Sequence, residues 1–149
     1  MFGTNQNMLS VAQIDADLFM AVSAIQKAET ISSKAGKHLR GLAGYHLQQA
    51  AEKMIKIQIY SSGVQIDNSK MFRHSLDDLI GYAFSLGISL NVPAWVNEKK
   101  YVITSWEAEG RYNLHFVVRM DTLKRCYSEL LQWRNQLFPE RSSVLQHGE

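Results

Sequence analysis

The sequence predicts an all-α fold, an up-and-down bundle of four to five helices. Three observations carry that expectation. Long segments repeat apolar residues every third and fourth position, the spacing that covers one face of a helix. Only two prolines and nine glycines interrupt 149 residues, which favours long helices over many short strands. Cap and turn signals are few, and the connections they mark are short, as between neighbouring helices of a bundle.

Residues 1–9 are polar and are expected to form a flexible N-terminus. Ser10 with Gln13 reads as a capping box, so the first helix is expected from about Val11 to Ser33. Val11, Ile14, Leu18, Val22 and Ile25 line its apolar face, and residues 32–36 read as the turn that ends it. Leu39 to Tyr60 is the longest unambiguous helix and the element around which the others should pack. Its apolar face holds Leu39, Leu42, Ala43, Leu47, Ala50, Ala51, Met54, Ile55 and Ile57. The small Ala43, Ala50 and Ala51 let a neighbour approach closely. Gly63, just past Ser61 and Ser62, suits a helix end.

Residues 64–73 form a polar connector without a clear period. Ser75 with Asp78 is the next capping box, opening a short helix from Leu76 to Leu86 that Gly87 ends. Residues 88–92 are a linker, and Pro93 suits the first turn of a fourth helix. That helix carries Trp95, Val96, Val102, Ile103 and Trp106 and stops near Gly110. Residues 111–119 form a loop, with Leu114, Phe116 and Val118 alternating as in a short extended piece. A last helix runs from about Asp121 to Leu137, burying Leu123, Tyr127, Leu130, Leu131 and Leu137, and Pro139 stops it. The domain is therefore 10–139, followed by a polar tail over 140–149.

A net charge of +2 is too small to announce a nucleic acid by itself. The single cysteine, Cys126, excludes an internal disulfide and a multi-cysteine zinc site, and its helical context suits a packing residue. No H-x-x-x-H pair at metal-ligand spacing, no phosphate-binding glycine motif and no nucleophile elbow occurs. Neither a metal nor a cofactor is expected. No signal peptide or stretch of ~20 apolar residues is visible, so a cytoplasmic protein without membrane contact is expected. Trp95, Trp106 and Trp133 are assigned to the core or a dimer interface.

Two constellations could carry chemistry. His46, Gln49 and Lys53 stand one above another along the border of the organising helix's apolar face. A histidine exchanges protons near neutral pH and a lysine holds a phosphate as a point charge. The alternative is a solvated helix border, with the lysine stem covering carbon. Arg111 and Tyr112 follow Gly110, where side chains can reach past the bundle. An arginine fork suits phosphate or carboxylate, and a tyrosine face suits a base. Otherwise Arg111 caps helix carbonyls and Tyr112 packs.

Three blocks occur in order: Tyr45–Lys53 (YHLQQAAEK), His74–Leu79 (HSLDDL) and Glu109–Asn113 (EGRYN). In that order and spacing the chain resembles the HEPN domain, the higher eukaryotes and prokaryotes nucleotide-binding family, over roughly Ser10 to Phe138. The resemblance implies a four- to five-helix bundle, similar to the helical domain of kanamycin nucleotidyltransferase. It implies a homodimer that holds a nucleotide or RNA at His46, Gln49, Lys53, Arg111 and Tyr112. It also implies a separate small nucleotidyltransferase as partner in a toxin–antitoxin-like pair. Asn113 stands where the family block has proline, which loosens the loop.

Many members of the family are metal-independent endoribonucleases with an arginine, four to six residues, then a histidine, completed across a dimer. In such a site histidine handles the 2′-hydroxyl proton and arginine stabilises the charged phosphorane. Here Arg111 and His115 are separated by three residues, one short of that pattern, while Arg40 and His46 are separated by five. The helical bearings of Arg40 and His46 differ by about 120°, so they are not expected to converge. A binding module is therefore the leading expectation, a ribonuclease the enzyme alternative, and a ligand-free dimeric scaffold the structural one.

Overall fold

The computed structural model describes residues 2–31, 33–107 and 118–141, with residues 2–10, 33 and 141 described by backbone course alone. The described residues are all-helical, with no strand among them: α1 (Phe2–Ala28), α2 (Ser33–Tyr60), α3 (Asn68–Met71), α4 (Leu76–Ser85), α5 (Ala94–Ser105), α6 (Met120–Leu137) and a 3₁₀ turn (Pro139–Arg141).

α2 is the central element. Its second half is buried nearly all round: Leu47, Ala50, Ala51, Met54, Ile55 and Ile59 are fully covered. Each large apolar side chain so covered contributes roughly 1.5–3 kcal/mol. α1 runs back along α2 as the other arm of a helical hairpin, and α4, α5 and α6 pack on α2's remaining sides. α1 brings Ile14, Leu18, Ala21 and Ile25 to the shared core, and α6 brings Leu123, Cys126, Leu130 and Trp133. Cys126 is a packing residue; burial pushes its thiol pKa well above the usual range.

Several boundaries differ from the sequence expectation. α1 begins at Phe2, so Ser10 lies inside the helix rather than at its start. No proline interrupts residues 2–10, and a helix already nucleated extends by one hydrogen bond per residue. α2 begins at Ser33, so Gly36 is not a turn residue. A Cβ on Gly36 would stand 3.3 Å from the Ala28 carbonyl oxygen, so this glycine lets the start of α2 lie against the end of α1. α3, within the stretch read as connector, makes a sixth helix among the described residues. Asp67 caps it, with Oδ1 accepting from the Ser69 amide at 3.0 Å and the Ser69 hydroxyl at 2.8 Å. Pro93 sits one position before α5 at its cap. Of the expected tail, residues 140 and 141 continue the 3₁₀ turn, and residues 142–149 lie outside the described residues.

The α4 signals hold. Ser75 Oγ accepts from the Asp78 amide at 3.2 Å. At the other end Ile88 N donates to the Ala83 carbonyl and Gly87 N to the Phe84 carbonyl, both at 3.0 Å, with Gly87 at φ +73°. That pair of bonds needs the left-handed backbone glycine adopts without strain.

Candidate functional site at the α1–α2 seam

Of the row His46, Gln49, Lys53, the His46–Lys53 pair turns toward α1. It meets Asp17, which is 8% exposed although it is a carboxylate. Asp17 follows Ile14 by three residues and precedes Ala21 by four, so helical spacing puts it on the buried face of α1. A charge in that position needs partners. Its two oxygens have one each: Oδ1 accepts from His46 Nδ1 at 2.8 Å, and Oδ2 accepts from the Lys53 ammonium. The His46 and Lys53 side chains are 17% and 24% exposed, so solvent screens the cluster only in part.

This arrangement sets the histidine's tautomer. A carboxylate paired with a lysine is an acceptor only, so Nδ1 carries the proton it donates. Nε2 is then the basic nitrogen. It has no hydrogen-bond partner among the described residues, and the His46 side chain is not fully covered. The Tyr45 ring stands edge-on to the imidazole, with centroids 5.1 Å apart, and steadies its plane. The result is an oriented base beside a neutralised lysine.

Gln49 turns to its neighbour and joins a second polar cluster. Its Nε2 donates to Gln48 Oε1 at 2.8 Å, and fully buried Gln48 donates at 3.0 Å to both Glu52 Oε1 and the His74 carbonyl. Glu52 also receives His74 Nδ1 at 2.9 Å and the Lys56 ammonium at 2.9 Å. Burial pushes the Glu52 carboxyl upward, but the bonds from Lys56, His74 and Gln48 outweigh it and hold the group below the usual carboxylate range. This cluster fastens the segment before α4 to α2.

No family model, no curated protein and no solved structure matches the chain.

Among the other sequence candidates, Arg40 and His46 do not meet. Arg40 Nε donates to the Val118 carbonyl at 3.1 Å, on the approach to α6, while His46 is committed to α1. Arg111, Tyr112 and His115 lie outside the described residues. Among the described residues no three histidine, cysteine or acidic side chains are grouped to hold a metal, and no helix is long and apolar enough to cross a membrane. Three surface clefts, of about 560, 440 and 320 Å³, are lined by other residues than the row on α2.

Sequence reasoning missed Asp17, Gln48, Glu52, His74 and a further buried pair. Arg134 of α6 has a fully covered side chain and forks onto Asp15 of α1, Nε to Oδ1 at 2.7 Å and Nη2 to Oδ2 at 2.9 Å. Asp15 and Asp17 are two residues apart, about 200° around the helix, and so tie α1 to two different helices. The signal that could have found them is a charged residue at a core-facing helical position.

Proposed function

We propose that the chain is a HEPN-like module that binds a nucleotide or RNA, works as a homodimer and has a separate nucleotidyltransferase as its partner. The observation that supports this reading is the pairing of His46 and Lys53 on the two oxygens of Asp17. It leaves Nε2 without a partner among the described residues, able to accept a hydrogen bond from a ribose hydroxyl or a base edge. Lys53 is half-spent on Asp17, so phosphate attraction here is modest and a hydrogen-bonding role dominates. The order of the three sequence blocks supports the family reading.

One feature favours the ribonuclease as second reading. A histidine whose Nδ1–H is held by a carboxylate presents Nε2 as a general base. It would take the 2′-hydroxyl proton as the 2′-oxygen attacks phosphorus and the 5′-oxygen leaves, giving a 2′,3′-cyclic phosphate. The cation for the phosphorane would have to come from elsewhere, because Arg40 is engaged at Val118.

The test is titration calorimetry of the full chain with nucleoside monophosphates and a short single-stranded RNA, with His46→Gln and Lys53→Gln beside the wild type. Binding that falls roughly tenfold in His46→Gln, the loss of one charge-assisted or strong hydrogen bond, with RNA left intact in EDTA, supports the binding module. Cleavage in EDTA that His46→Gln abolishes supports the ribonuclease. No binding of any of these ligands leaves the scaffold.

A further inference from the structure

We infer that the cleft between α5 and the start of α6 is a second ligand site, for a small anion carrying an aromatic or apolar body. This inference is independent of the α1–α2 seam. Trp106 packs on Gly44, about 200° around α2 from His46, so the cleft and the seam open on different sides of α2.

The cleft holds about 320 Å³, within the range of small-ligand sites. Its floor is carbon. Trp106 is 2% exposed and Val118 is buried, and the partly exposed Val102 forms one wall. Trp106 is fixed from behind, because a Cβ on Gly44 would lie only 3.1 Å from its Cγ.

Its charged lining is cationic. Lys99 is half-buried and forms no hydrogen bond or ion pair among the described residues. Among them Arg119 pairs with Asp121 alone, two residues on, at 3.3 Å, with both side chains largely in solvent. A pair so exposed to solvent is weak, so the guanidinium is free to turn to an anion. Thr122 adds a hydroxyl without a partner among the described residues. A carbon floor with a lysine, an arginine and a hydroxyl at its mouth fits a ligand with a flat apolar body and one anionic end. An inorganic ion would leave the floor wet, and a neutral hydrophobe would leave the cations unused.

The experiment uses the full chain and two dyes of nearly one shape. Anilinonaphthalene sulfonate carries the anion; phenylnaphthylamine lacks it. A 15N NMR titration with the sulfonate should move the amides of Val102, Ser105, Arg119 and Thr122 along one saturable curve. Lys99→Ala combined with Arg119→Ala should weaken the sulfonate roughly tenfold and leave the neutral dye's affinity unchanged. His46→Gln should leave both dyes unaffected. The inference is overturned if those amides do not move, or if the double variant binds the sulfonate as wild type does. It is equally overturned if the double variant loses both dyes alike, since the cations would then only shape the wall.

Discussion

Asp15→Leu should cost about 3 kcal/mol, because it leaves the Arg134 guanidinium covered and without its counter-charge. Arg134 has no exposed side-chain surface, while Asp15 is 19% exposed. Removing one member of a buried pair typically costs ~3–5 kcal/mol, and the partial exposure of Asp15 sets the expectation at the low end of that range. Unfolding entropy near 2.1 cal/mol/K per residue over 149 residues is about 0.31 kcal/mol/K. The melting temperature should therefore fall by roughly 10 °C. The companion variant, Asp15→Leu with Arg134→Met, replaces both charges by carbon and should recover most of that loss. It keeps one deficit, the Phe138 carbonyl that Arg134 Nη1 satisfies at 3.1 Å. Urea and thermal unfolding followed by circular dichroism measure both. A single variant that loses less than ~1 kcal/mol, or a double variant as unstable as the single, would refute the reasoning.

Two helical glycines should respond with opposite sign. A Cβ added to Gly81 in α4 would meet open space, so Gly81→Ala should raise stability by ~0.5–1 kcal/mol. Gly44→Ala gains the same propensity but pushes a methyl to 3.1–3.3 Å from Trp106, so overpacking of ~1–3 kcal/mol should give a net loss; chemical denaturation reads both. The depressed pKa of Glu52 stabilises the fold above the unfolded glutamate value of about 4.3, and that contribution is lost as pH falls through the lower folded value. Glu52→Gln should accordingly be less stable than wild type at pH 7, with the gap closing below about pH 4 in a series of melts. Cys126 should be inert to a disulfide reagent in the native chain and react fully in denaturant, because burial keeps it a thiol.

Much of the fold is legible in the sequence because it depends on periodicity. The apolar stripe of α2, the Ser75 cap, Gly63 at φ +78° and Gly87 at φ +73° act locally and read locally. The start of α2 does not, because Gly36 serves packing against Ala28, and a lone glycine gives the same signal in a turn. Helix α3 is only four residues long and shows no period; its one clue is Asp67 two residues before Ser69.

The site was half legible. His46 and Lys53 stand out as a row on one helix. Their partner Asp17 is 29 residues away from His46 and belongs to another element, so spacing on α2 says nothing of it. What the sequence does contain is a carboxylate inside the stripe of Ile14, Leu18 and Ala21, and an arginine beside Leu130 and Trp133 in α6. A buried charge demands an opposite one, but which one is decided by how the helices pack. Gln49, expected at the binding row, turns instead to Gln48, because the amide completes a network around buried Glu52.

The most direct measurement is the His46 imidazole itself, its two ring nitrogens followed by 15N NMR as single-stranded RNA is added. Nδ1 should hold its proton against Asp17 throughout, while Nε2 moves with the ligand. Ring nitrogens that stay still while the RNA binds elsewhere, or an Nε2-protonated ring in the free protein, would contradict it.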